Sequence, residues 1–136
     1  MRSKAYALAR AKLAGLTDRG GVPAIEHAER VAKLTEAYGG DEATVALALV
    51  HDIVEDTETT IEDVEKLVPG LRDGLVAITR LKGEPYFEYI ERVASDPSAR
   101  IVKVADLIDH LSPERIEAIP GSLIERYGRA LGRLLV

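Results

Sequence analysis

The sequence predicts an all-α fold, a single compact bundle of about eight or nine helices, and three observations carry that expectation. Apolar residues recur at helical spacing almost throughout the 136 residues, breaks fall where Gly, Pro and Asp cluster, and no apolar–polar alternation persists long enough to build a sheet. A chain of this length buries most of the surface its unfolded form exposes. One domain over residues 1–136 is expected, with no internal repeat, low-complexity tract or dividing linker.

Taken in order, the periodicity places helices at roughly Lys4 to Leu16, Ala24 to Tyr38, Asp41 to Val54, Ile61 to Leu67 and Leu71 to Leu81, then Tyr86 to Ala94, Ser98 to Leu111, Pro113 to Ile119 and Ser122 to Leu134. Several ends are marked by capping chemistry. Gly39-Gly40 reads as a C-cap, and Thr60 as an N-cap with Asp63 three residues on. Asp96-Pro97 and Ser112-Pro113 place proline in a first helical turn. The last helix is amphipathic, with Arg126, Arg129 and Arg133 along a face read as solvated rather than as a binding surface.

Composition narrows the function classes. With 46% hydrophobic and 30% charged residues the chain has ordinary globular composition. The absence of cysteine excludes disulfides, thiolate metal sites and a cysteine nucleophile, and leaves cytoplasmic as the default compartment. No apolar run approaches the roughly 20 residues that span a bilayer, and the N-terminus lacks a signal-peptide pattern, so neither a membrane nor secretion is expected. A net charge of −5 argues against binding duplex nucleic acid, which requires a basic face. A small phosphorylated ligand held by a metal and one or two basic side chains remains compatible, as does a homo-oligomer.

The densest chemistry is the run His51-Asp52-Ile53-Val54-Glu55-Asp56-Thr57, at the end of the apolar stretch that starts at Asp41. Imidazole beside carboxylate suits a divalent transition ion such as Mn, Fe, Zn or Co, whereas Mg or Ca favours oxygen alone. The chain holds three histidines. His27 sits at the edge of an apolar stripe, either as a ligand or as a core histidine satisfied by a backbone carbonyl. Asp106 ends the run Ile101-Val102-Lys103-Val104-Ala105, where a carboxylate is costly unless a cation compensates it, the alternative being a buried salt bridge to an arginine.

His27, His51-Asp52 and Asp106 on an all-α background resemble the H…HD…D set of the HD superfamily of metal-dependent phosphohydrolases. Within it, His51 to Thr57 is similar to the HDxxEDT motif of the (p)ppGpp hydrolase domain of RelA/SpoT enzymes and the small alarmone hydrolases. Gly21-Val22-Pro23-Ala24-Ile25-Glu26-His27 resembles the GEPYIxH segment, and Val102-Lys103-Val104-Ala105-Asp106 the IKLAD segment. The resemblance implies an HD-domain bundle and a manganese-dependent enzyme of the stringent response. It implies hydrolase activity on a phosphorylated guanosine or related nucleotide, with no synthetase segment following. A 5′-nucleotidase and a catalytically silent nucleotide-binding module are the alternatives. The chain departs from the pattern at two places. Asp18-Arg19 stand where the family carries Arg-Lys, and Leu107-Ile108-Asp109-His110 follow Asp106 where the family reads RLHN.

Four ligands, His27, His51, Asp52 and Asp106, leave about two places in an octahedral shell for water and a phosphate oxygen. Glu55 and Asp56 follow His51 and Asp52 at i+4, so both face one cleft if the helix continues, and either is a candidate to orient water or pass a proton. Without the neighbouring ligands, the pair reads as surface carboxylates at a helix end. Arg19, His110 and Tyr127 are the candidate substrate contacts. For Arg19 a solvated loop position is the alternative, and for Tyr127 core packing.

Overall fold

Every residue from Thr44 to Val50 is buried, which makes that stretch the axis of the molecule. A helix that is apolar all round must be enclosed by other helices. The computed structural model describes Met1 to Val136 and arranges them as α1 (Arg2–Leu13), α2 (Ala24–Ala37), α3 (Glu42–Val50), α4 (Ile53–Asp56) and α5 (Ile61–Leu67), followed by α6 (Arg72–Ile78), α7 (Tyr86–Ala94), α8 (Pro97–His110), a 3-10 turn (Ile116–Ala118) and α9 (Gly121–Leu134). Helices α1, α2, α6 and α8 pack on α3, while α9 lies across α7 and α8. There is no strand. An isolated bridge between Thr17 and Pro23 closes the loop that leads into α2. No helix is long and apolar enough to cross a membrane.

The capping signals act as the sequence suggests. Asp41 accepts from Thr44 N, Thr60 and Asp63 form a reciprocal capping box, and Asp96 accepts from Ala99 N with Pro97 in the first turn of α8. Gly39, at φ 89°, takes the left-handed conformation that lets the chain turn sharply after α2.

Four elements differ from the periodicity. The first helix, expected over Lys4 to Leu16, spans Arg2–Leu13 and ends ahead of Gly15, which turns the chain at φ 81°. The helix expected over Asp41 to Val54 is interrupted, because α3 ends at Val50, His51-Asp52 form a turn and α4 restarts at Ile53. The helix ends where His51 stays buried but bonds back to the Ala48 carbonyl, and Asp52 stands partly open beside it. Pro113 to Ile119 is not an α-helix. Ser112-Pro113 opens a series of turns ending in the 3-10 segment, which is too short and too exposed to bury an apolar face. The helix expected over Leu71 to Leu81 stops at Ile78, where Arg92 reaches in from α7 to cap the freed carbonyls of Val76, Ala77 and Thr79.

Leu47, 1% exposed at the centre of α3, sits against Gly74, where an added Cβ would come within 2.6 Å of Leu47 Cδ2. Leu47→Ala is expected to lower unfolding free energy by about 2–5 kcal/mol, whereas Leu67→Ala, at a position 55% exposed, should change it by less than about 0.5 kcal/mol. Equilibrium denaturation of both variants checks the assignment of α3 as the core axis.

Candidate metal centre and substrate cleft

Three elements deliver the chemistry to one point. His27 lies in the first turns of α2, His51 and Asp52 follow the C-terminus of α3, and Asp106 lies in the second half of α8. Because α2 and α8 both pack on α3, residues on their facing sides meet at its carbonyl end, where the helix dipole favours a cation.

The ligand atoms of His27, His51, Asp52 and Asp106 all lie within 4.8 Å of one another, and the group is suited to holding a metal ion. Asp106 Oδ1 is the focus, at 2.9 Å from His27 Nε2 and 3.2 Å from His51 Nε2. Asp52 Oδ2 stands 3.3 Å from His51 Nε2 and 3.6 Å from His27 Nε2. His27, His51 and Asp106 are buried, whereas Asp52 is partly open. Imidazole nitrogen with carboxylate oxygen is a donor set that fits a divalent transition ion.

Each imidazole is held from behind. His51 Nδ1 donates to the Ala48 carbonyl at 2.6 Å, which satisfies a carbonyl of the last turn of α3. His27 Nδ1 donates to Asp109 Oδ2 at 2.7 Å. The partner of His27 is therefore a carboxylate and not the backbone carbonyl weighed as its alternative. Asp106 Oδ2 accepts from Lys103 Nζ at 2.9 Å, so the cation compensating this carboxylate includes a lysine rather than the arginine considered from sequence. Burial disfavours the charged His27 ring, but hydrogen bonds to Asp106 and Asp109 outweigh it and bring its pKa up to about 10. Burial likewise opposes charge on Asp106, yet Lys103 and the imidazoles hold it well below the usual carboxylate range. A divalent ion held by these four residues would take the place of the imidazolium protons.

The cleft opening from this group has a volume of about 450 Å³ on one side, lined by Asp18, Arg19, Arg30, Asp56, Arg115 and Tyr127 among others. A second lobe of about 200 Å³ is lined by Glu55, Arg80, Tyr86, Lys103 and Arg126, with Asp52, Asp56, His110 and Tyr127 shared or adjacent. Glu55 and Asp56 face this cleft despite the helix break, because Asp56 N still donates to Asp52 O at 2.9 Å and keeps one turn of helical geometry. Desolvation on the cleft side, then the charge of Asp52, brings the Glu55 carboxyl up to about 7 although much of the side chain faces solvent. The same causes raise Asp56.

His110 Nε2 lies 3.3 Å from Asp106 Oδ1, and its ring is 4.6 Å from that of His27. The ring of Tyr127, half-buried on α9, packs against the edge of the core and also lines the cleft, 5.5 Å from the ring of His110. Arg19 is exposed at the cleft rim. Asp18 turns into its own loop, accepting from Gly20 N and Val22 N. The face of α9 read as solvated is only partly so. Arg126 packs over Tyr86 and borders the cleft, Arg129 covers Phe87, and Arg133 pairs with Glu91.

Sequence reasoning gives no role to Asp109, Arg30 or Lys103. Asp109 lies at i+3 from Asp106, Arg30 at i+3 from His27 and Lys103 at i−3 from Asp106, so the helical neighbour rule applied to each ligand finds them. Arg80 and Tyr86 flank the loop between α6 and α7 and carry no such periodic signal. A separate groove of about 370 Å³ between α1, α2 and α3, lined by Tyr6, Ala32, Val45 and Leu49, contains none of the metal-type cluster.

An all-α bundle focused on two histidines and two aspartates defines a class of helical metal-site proteins. Residues 5–113 match the HD domain, and the chain belongs to that family. It is 31% identical over 134 residues to a probable guanosine-3′,5′-bis(diphosphate) 3′-pyrophosphohydrolase of Synechocystis, covering 85% of this chain and 18% of that protein. It is 32% identical over 117 residues to the guanosine-3′,5′-bis(diphosphate) 3′-pyrophosphohydrolase of Aquifex aeolicus, covering 79% and 17%. The chain thus spans 18% and 17% of the length of these curated relatives. A solved structure of a metazoan SpoT orthologue, described as hydrolysing ppGpp, superimposes with a TM-score of 0.77 at 25% identity, over 98% of this chain and 84% of that one.

The raised His27 pKa has a sign that can be measured. An unfolded histidine titrates near 6.5, so the folded-state gain is fully present below that pH and is lost as pH rises toward about 10. Metal-stripped protein is expected to lose stability between pH 6.5 and pH 9.5, and a divalent ion to restore it at the upper end. Denaturant titrations at both pH values, with and without chelator, check this.

Proposed function

We propose that this protein is a metal-dependent phosphohydrolase that removes the 3′-pyrophosphate of (p)ppGpp or a closely related guanosine nucleotide. The observation that carries the reading is the His27, His51, Asp52 and Asp106 cluster opening into a cleft that also holds Glu55 and Asp56. The relatives' names support the substrate class, and the aligned region is the part of them this chain matches.

His27, His51, Asp52 and Asp106 are the residues that would hold the ion; their nitrogen and oxygen donors suit a divalent transition ion, and the family resemblance makes Mn²⁺ the occupant proposed. Bound there, the ion supplies Lewis acidity toward the phosphoryl group. The protein's residues do the rest. Glu55, whose carboxyl faces the cleft beside the cluster, serves as base toward the attacking water, while Asp56, one turn on from Asp52, orients that water. Arg19 and Tyr127 line the side of the cleft suited to a base or ribose. His110, standing beside Asp106, contacts the substrate close to the bond that breaks.

The departures from the family motif at Asp18-Arg19 and Asp109-His110 keep a 5′-nucleotidase within the test, and His110 keeps a silent binding module there. Mn²⁺-loaded protein incubated with ppGpp should release pyrophosphate. Orthophosphate would identify a 5′-nucleotidase, and tight binding without turnover a silent binding module. In the same assay Asp52→Ala should lose both metal and activity. Glu55→Gln should keep its metal and fall by about 10²–10⁴-fold in rate, as expected of a lost proton-transfer group. Equal metal content in wild type and Asp52→Ala overturns the assignment.

A further inference from the structure

Asp109 stands outside the four-residue group, yet it is only 4% exposed. A carboxylate so buried needs directed compensation. Its Oδ1 accepts from Arg30 Nε at 2.8 Å, and its Oδ2 accepts from Arg30 Nη2 at 3.1 Å and from His27 Nδ1 at 2.7 Å. Arg115 Nε, buried and without a hydrogen-bond partner, approaches Oδ2 to 3.8 Å.

The arrangement is a bracket between two helices. His27 and Arg30 lie one turn apart on α2, and Asp106 and Asp109 lie one turn apart on α8. The His27 ring is therefore gripped at both nitrogens, Nε2 toward Asp106 and Nδ1 toward Asp109. An imidazole that donates Nδ1–H to a carboxylate has its tautomer and ring plane fixed, and its Nε2 lone pair becomes a better donor to a metal. His51 receives the same service from a neutral carbonyl, that of Ala48. The two histidines are thus supported unequally, and the charged support falls on His27 alone.

We infer that Asp109 is a positioning residue that fixes His27 as a metal ligand, and that Arg30 serves by holding Asp109 rather than by binding a substrate phosphate. Arg30 borders the larger lobe of the cleft, where a cation would ordinarily be assigned to the nucleotide. Its fork is already engaged on both oxygens of a buried carboxylate, a bidentate geometry that fixes direction as well as charge. The inference rests on the reading that the four-residue group holds a divalent ion, and it is independent of which nucleotide is cleaved.

The test is metal binding measured with no nucleotide present. Calorimetric titration with Mn²⁺ is carried out on wild type, Asp109→Asn, Asp109→Leu and Arg30→Gln, with melting curves of each metal-free protein to establish folding. Asp109→Leu should bind Mn²⁺ about 10–100-fold more weakly. Asp109→Asn, whose amide oxygen still accepts from Nδ1–H, should lose less. Arg30→Gln should weaken binding in the same direction, which an arginine reserved for substrate would not do. The visible spectrum of Co²⁺-loaded protein should shift in Asp109→Asn, reporting an altered ligand field even if the leucine variant fails to fold. Wild-type Mn²⁺ affinity in folded Asp109→Asn and Arg30→Gln, with an unchanged Co²⁺ spectrum, overturns the inference. Failure of wild type itself to bind Mn²⁺ overturns the metal centre beneath it, whereas failure to cleave ppGpp leaves both intact.

Discussion

One buried oxygen organises this molecule. Asp106 Oδ1 lies within 2.9, 3.2 and 3.3 Å of the Nε2 atoms of His27, His51 and His110, while the other oxygen of the same carboxylate meets Lys103. A carboxylate this deep in an apolar bundle is tolerated only if positive charge converges on it. That requirement fixes where α2, the end of α3 and the second half of α8 must stand relative to one another. The hydrophobic core supplies the energy for the bundle, and the charge cluster supplies its register.

The break after Val50 follows from the same constraint. Had α3 run on to Val54, His51 and Asp52 would have stayed on the surface of a helix whose every face is already enclosed. Ending the helix lets His51 turn back to donate to Ala48 O while its far nitrogen faces Asp106. The chain then resumes for one turn, which aims Glu55 and Asp56 at the cleft. Local irregularity at a site, bounded by regular helices, gives functional groups directions that no periodic position offers.

Much of this was legible in the sequence, and the losses have physical causes. The helices around the core were readable because burial imposes a period on apolar residues, and the caps at Asp41, Thr60 and Asp96 because their chemistry is local. The cluster of His27, His51, Asp52 and Asp106 was readable from donor types and motif resemblance. The break at His51 and the loss of helix after Ser112 were not, because both depend on what packs against the segment. In the sequence Asp109 stands out only as a departure from a motif. Its partner His27 lies on another helix, and nothing local to residue 109 announces that contact. Arg126 looks solvated in the sequence because its aromatic partner, Tyr86, comes from α7.

The central claim is that one divalent ion is held jointly by α2, the α3 terminus and α8. Crystals grown with Mn²⁺ and measured on both sides of the manganese absorption edge test it most directly. A single anomalous peak shared by His27 Nε2, His51 Nε2, Asp52 and Asp106 is the predicted result. A peak elsewhere on the chain, or none at this cluster under saturating Mn²⁺, would contradict it.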